Sequence, residues 1–146
     1  MKIYVIGSNS AMHEIVKAKN DLCDLGLKGA ISEDYEKLVR GEMDDLLSKI
    51  NNGEHAQVKI DRDYHRYNFK NIKNSDGVLV VNKPKDGMKN YIGGNTLMEM
   101  GQAYVLEKSV FVLHDLPEYT SYIDEIKSLE PICLHGDLTN IKNYVT

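Results

Sequence analysis

Short apolar runs rich in β-branched residues alternate along the chain with stretches whose apolar positions recur every three to four residues. Lys2 to Gly7 is a compact apolar run closed by Ser8-Asn9-Ser10. Gly77-Val78-Leu79-Val80-Val81-Asn82 and Ser109-Val110-Phe111-Val112-Leu113-His114 are the clearest buried strands. Pro131 to His135 and a short segment near Lys28 to Ile31 are weaker ones. Near-continuous apolar runs of this length are what strands covered on both faces look like. Between them, Met12 to Leu25 has apolar residues at Met12, Ile15, Val16, Leu22 and Leu25 and stops at Gly26, which predicts a helix. Tyr35 to Ile50 carries Leu38, Val39, Met43, Leu46, Leu47 and Ile50 on one stripe and predicts a second. Further helices are expected over Tyr64 to Lys73, Leu97 to Leu106 and Tyr122 to Leu129, with a short terminal one over Leu138 to Tyr144.

Strand alternating with helix implies a parallel sheet covered on both faces. Five strands suggest a flavodoxin-like, Rossmann-like three-layer α/β domain of strand order 2-1-3-4-5, occupying residues 1–146 as a single unit. In such sheets ligands bind beyond the carboxyl ends of the strands, where the order reverses. The loops that meet there are Gly7 to Ala11 and Asn82 to Asn95, with His114 to Pro117 more peripheral.

The bulk numbers narrow the partners. A chain of 146 residues with 42% hydrophobic and 27% charged residues can bury a real core. A formal net charge of -4 argues against a nucleic-acid polymer, whose phosphates call for a basic footprint, but not against a single nucleotide. No apolar run approaches the roughly 20 residues that span a bilayer, so no membrane association is expected. The opening Met1-Lys2-Ile3-Tyr4-Val5-Ile6 is too short for a signal peptide. Cys23 and Cys133 are far apart and form no CxxC, so they are read as free thiols in a reducing cytoplasm. The five histidines show no HxxxH or HExxH spacing, and neither a metal nor a cofactor is expected.

Three segments could carry chemistry. Gly7-Ser8-Asn9-Ser10 joins a strand to a helix, and its backbone N–H groups and hydroxyls suit an anion. The plainer reading, a strand-to-helix turn with Ser10 or Asn9 as N-cap, is preferred on spacing alone. In Asn90-Tyr91-Ile92-Gly93-Gly94-Asn95-Thr96-Leu97-Met98-Glu99, paired glycines lead into a helix and put Glu99 in its first turn. Gly93 and Gly94 allow close backbone approach to a ligand. A carboxylate there can attack an anomeric carbon and form a glycosyl ester. The same spacing is a capping box, with Thr96 as N-cap and Glu99 three residues on. Tyr64-His65-Arg66-Tyr67-Asn68 mixes rings, a cation and an amide, and is either a ligand-facing or an ordinary amphipathic helix. Lys83 to Lys89 is expected to be a mobile, solvated loop.

On Lys2 to Ser8, Ile72 to Asn82 and above all Gly94-Asn95-Thr96-Leu97-Met98-Glu99-Met100-Gly101-Gln102-Ala103, the chain resembles the nucleoside 2-deoxyribosyltransferase superfamily, which includes deoxynucleoside 5'-monophosphate N-glycosidases. The resemblance implies that Glu99 is the nucleophile at C1' and that Tyr4 holds it or stabilises developing charge. It further implies that Gly7, Ser8, Asn9 and Ser10 lie against the sugar or a 5'-phosphate, and that Gly93, Gly94 and Asn95 line the pocket. Asn82, at the end of its strand, is placed among the substrate-binding residues. Two acids common in the family are replaced here, one by Gly93 and the other by Asn68 as the nearest match, so help to the leaving base would fall to Asp86 or a neighbouring subunit. The implied partner is a small-molecule nucleoside or nucleotide, and a homodimer or larger homo-oligomer is implied as well. Water as acceptor gives a hydrolase and a second base a transferase. The alternative is a non-catalytic nucleotide-binding or sensing module, with Glu99 on the ribose hydroxyls. A flavodoxin-like domain for another cofactor ranks lower, for want of a flavin-type phosphate loop.

Overall fold

The computed structural model describes residues 1–118 and 120–145. Five strands form one parallel sheet: β1 (Lys2–Ile6), β2 (Lys28–Ala30), β3 (Gly77–Val80), β4 (Ser109–Val112) and β5 (Ile132–Cys133). Their order is β2-β1-β3-β4-β5, as the alternating pattern predicts. In register, Tyr4 lies beside Val78 and Val78 beside Val110.

The period-2 alternation of strands divides the core into two layers. Ile3, Val5, Leu79 and Phe111 face α1 (Met12–Asp24), packing on Ile15, Ala18 and Leu22. Tyr4, Ile6, Val78, Val80, Val110 and Val112 face the other side. There they meet Ile72 of α5 (Tyr64–Lys73), Met100 and Ala103 of α6 (Gly94–Val105), and Ile126 of α7 (Ile123–Ser128). Tyr4 is thereby directed to the α5–α6 side. Among the described residues no helix is long and apolar enough to cross a membrane.

The helix expected over Tyr35 to Ile50 is broken in two. α2 (Glu33–Val39) ends where Gly41 takes φ +75°, with Gly41 N–H donating to Leu38 and Glu42 N–H to Lys37. This is a Schellman ending, which satisfies the last carbonyls and turns the chain. α3 (Asp44–Asn51) ends the same way at Gly53, φ +84°, and an unanticipated α4 (His55–Asp61) follows. Met12, Leu38, Ile50 and Val58 form a third, separate apolar cluster that holds these helices together. Lys83 to Lys89 is more structured than a solvated loop. Lys85 and Met88 exchange backbone hydrogen bonds around Asp86 and Gly87, both at positive φ, as in a two-residue hairpin turn.

β2 packs closely on α1. A Cβ built on Gly29 would lie 2.5 Å from the Lys19 carbonyl oxygen, which is helix backbone and cannot rotate away. Gly29→Ala is therefore expected to destabilise by about 2 kcal/mol, the usual scale for overpacking. Urea unfolding would measure this, and an unchanged midpoint would contradict the packing described.

Candidate functional site

α6 begins one turn earlier than the capping-box spacing implies. Its N-cap is Gly93, without a side-chain cap bond, and the first helical hydrogen bond runs from Leu97 N–H to the Gly93 carbonyl. Thr96 is buried inside the first turn, and Glu99 lies in the second rather than the first. The capping box does not form, and the carboxylate is released from the helix terminus. Its side chain is 7% exposed and accepts a hydrogen bond of 2.7 Å from Asn95 Nδ2, one turn back.

Glu99 lines a cleft, partly open to solvent, at the carboxyl end of β1. Tyr4, Gly7, Asn9, Asn68, Asn95 and Glu99, all singled out in the sequence, line it together. Ser8, Ser10, Asn82, Gly93 and Gly94 stand outside that lining. Ser8 and Ser10 share a hydroxyl hydrogen bond of 2.7 Å with each other. Asn82 is fully buried with both ends of its amide committed: Nδ2 donates to the Asp115 carbonyl, and Oδ1 accepts from His114 N–H. It ties the end of β3 to the loop after β4. Gly93 is buried, and a Cβ there would meet the Tyr91 hydroxyl at 2.9 Å, so a side chain at this position requires Tyr91 to move. Asp86 is exposed on its hairpin turn, away from the cleft lining.

The other wall comes from residues the sequence did not single out: Asp34 and Tyr35 on α2, and His55, Val58 and Lys59 on α4. Tyr64 and Asn68, one helical turn apart on α5, also face in, while His65 and Arg66 between them are exposed. That i, i+4 spacing was the available signal in the Tyr64–Asn68 segment. Asp34 is buried and accepts a forked pair from Arg62, Nε at 2.8 Å and Nη2 at 3.0 Å. The Tyr64 hydroxyl donates to the same carboxylate. This joins α2 to the α4–α5 corner.

Burial governs the electrostatics. The Glu99 carboxyl is pushed up to about 8 by desolvation, with Lys59 drawing it partway down. The Tyr4 and Tyr35 hydroxyls are raised by burial and then by the Glu99 charge, so both stay protonated. Tyr4 donates to Asn68 Oδ1 at 2.7 Å, so its proton is committed to the amide and not to Glu99. Tyr35 reaches Asn9 Oδ1 at 3.2 Å and the Gly7 carbonyl at 3.4 Å, closing the cleft over the β1 loop. Among the described residues no cluster of three or more His, Cys, Asp or Glu side chains is arranged to hold a metal ion.

No family model and no curated protein sequence matches the chain. Among solved structures, the chain is similar to a Clostridium botulinum CMP N-glycosidase, BcmB, at a TM-score of 0.46 and 9% sequence identity, over 99% of this chain and 97% of that one.

Proposed function

We propose that this protein cleaves or transfers the N-glycosidic bond of a nucleoside or nucleotide through a glycosyl–Glu99 intermediate. The observation that carries the reading is a buried carboxyl, freed from its helix cap, in the lining of a cleft beyond the parallel strands. In the first step a Glu99 carboxylate oxygen bonds to C1', and the bond from C1' to the base nitrogen breaks, its electron pair leaving with the base. The departing base takes a proton from solvent or from His55, an exposed residue of the cleft lining. In the second step water or another base attacks C1' and releases the carboxylate. Asn95 keeps one carboxylate oxygen oriented while the other reacts. Water makes the protein a hydrolase, and a base makes it a transferase.

A second reading has its own support. A carboxyl pushed up to about 8 is largely protonated at neutral pH, which suits a hydrogen-bonding role toward sugar hydroxyls in a non-catalytic binding module. Chromatographic detection of free base separates the two. Incubation with a panel of nucleosides and 5'-monophosphates, with and without an acceptor base, is expected to release base from at least one member. Thermal stabilisation by a nucleotide without base release from any member would replace the first reading with the second.

A further inference from the structure

The cleft has one wall of fixed elements, β1 and α6, and one of short helices, and the two differ in charge. Six titratable groups face or flank Glu99: Tyr4 from β1, Asp34 and Tyr35 from α2, His55 and Lys59 from α4, and Tyr64 from α5. The tyrosines are neutral donors, and Asp34 is matched by Arg62. His55 is exposed, and solvent screens it. Lys59 is the only lysine or arginine among the described lining residues, and its ammonium forms no ion pair within 4.0 Å among them. It sits between neighbours that fix its helix. Val58 is buried in the apolar cluster with Leu38 and Ile50, and Arg62, at the end of α4, is clamped to Asp34.

We propose that Lys59 is a positioning residue for the nucleophile: its uncommitted ammonium, held over the cleft by α4, lets Glu99 carry a negative charge in an otherwise desolvated site. The proposal rests on the glycosidase reading for its consequence, but not for its first test. The carboxyl loses its proton to solvent, and the ammonium offsets the cost of leaving the anion behind, because opposite charges interact strongly across a poorly solvated gap. The balance is conditional on α4 staying in place. The polar groups that β1 and α6 bring to the cleft beside Glu99 are the Tyr4 phenol and the Asn95 amide, so without Lys59 no lysine or arginine lines the cleft among the described residues.

The test follows the side-chain carboxyl signals of protein labelled with 13C-glutamate, with Glu99 identified by its absence in Glu99→Gln. Lys59→Met is expected to move the Glu99 titration midpoint upward by about one pH unit, a tenfold loss of carboxylate at neutral pH. Lys59→Arg is expected to restore it, and His55→Gln to leave it in place. A folded Lys59→Met protein with an unmoved midpoint overturns the proposal. So does a Lys59→Met effect confined to KM for phosphorylated substrates, which would make Lys59 a phosphate contact. In the base-release assay, kcat/KM of Lys59→Met is expected to fall about tenfold at pH 7 and to recover at higher pH, following the shifted midpoint. A shifted midpoint in a protein that releases no base would support the role of Lys59 while removing the glycosidase reading. Base release with an unshifted midpoint would do the reverse.

Discussion

Glu99→Gln is expected to abolish base release and, at the same time, to make the protein more stable above pH 8. The first effect follows from chemistry: an amide cannot form the glycosyl ester, and removing a nucleophile costs at least about 10³-fold in turnover. The second follows from burial. The folded-state carboxyl titrates at about 8, whereas the unfolded one titrates near its ordinary value. Between those two values the folded chain holds a proton that the unfolded chain has released. Stability contributed by this group is therefore complete below the unfolded value, falls as pH rises through the window, and is lost above about 8. At roughly 1.4 kcal/mol per pH unit, the deficit approaches something on the order of 5 kcal/mol. Glutamine does not titrate and can still accept the bond from Asn95. The melting temperatures of the two proteins should nearly coincide at pH 4.5 and separate progressively, with the variant higher at pH 9 by roughly 15 °C. A constant difference across the range would mean that Glu99 ionises as an ordinary surface carboxylate. A variant that retains base release would remove it as nucleophile.

Asp34→Ala is expected to cost about 3 kcal/mol, the scale for breaking a buried charged pair by removing one partner. The loss has two parts. The forked Arg62 pair disappears, and the Tyr64 hydroxyl is left without its acceptor. Because the Arg62 side chain is 39% exposed, its charge can return to water, which keeps the cost below that of a fully buried pair. Arg62→Met should cost at least as much, since it leaves the buried Asp34 carboxylate with only the Tyr64 hydroxyl as a partner. Urea unfolding of both single variants and the double one measures this, the pairwise part being the departure from additivity. If the Asp34 and Arg62 losses simply add, the contact carries no coupling energy and α2 is held to the α4–α5 corner by packing alone.

The sheet and its order were legible because β1, β3 and β4 are apolar on both faces, and a run such as Gly77 to Asn82 fits little else. Glu99 was legible as a carboxylate at a glycine-led helix start, although its position in the helix was misplaced by one turn. Both Thr96 and Gly93 can begin a helix, and tertiary packing of Thr96 selected Gly93. The second wall was not legible. Its helices are seven, eight and seven residues long, separated by Gly41 and Gly53. An apolar stripe continues across Gly41, so periodicity alone fused two helices into one. His55 to Asp61 has only Val58 buried and leaves no stripe to detect. Asp34 and Lys59 are ordinary charged residues locally. Only the return of the chain from α4 to α5 brings them to one cleft.

Short helices of this kind have a consequence for how the protein spends its time. An isolated segment of seven or eight residues does not hold a helix in water, because nucleation is too costly for so few hydrogen bonds. α2, α3 and α4 exist through the cluster of Met12, Leu38, Ile50 and Val58 and the Asp34 clamp, whereas β1, β3 and α6 share the main core. Amide protons in the two halves should accordingly exchange with solvent by different routes, the cover by opening on its own and the sheet only when the whole domain unfolds. A molecule bound in the cleft touches both halves, and the free energy it contributes would first appear as slower exchange in residues 33–61.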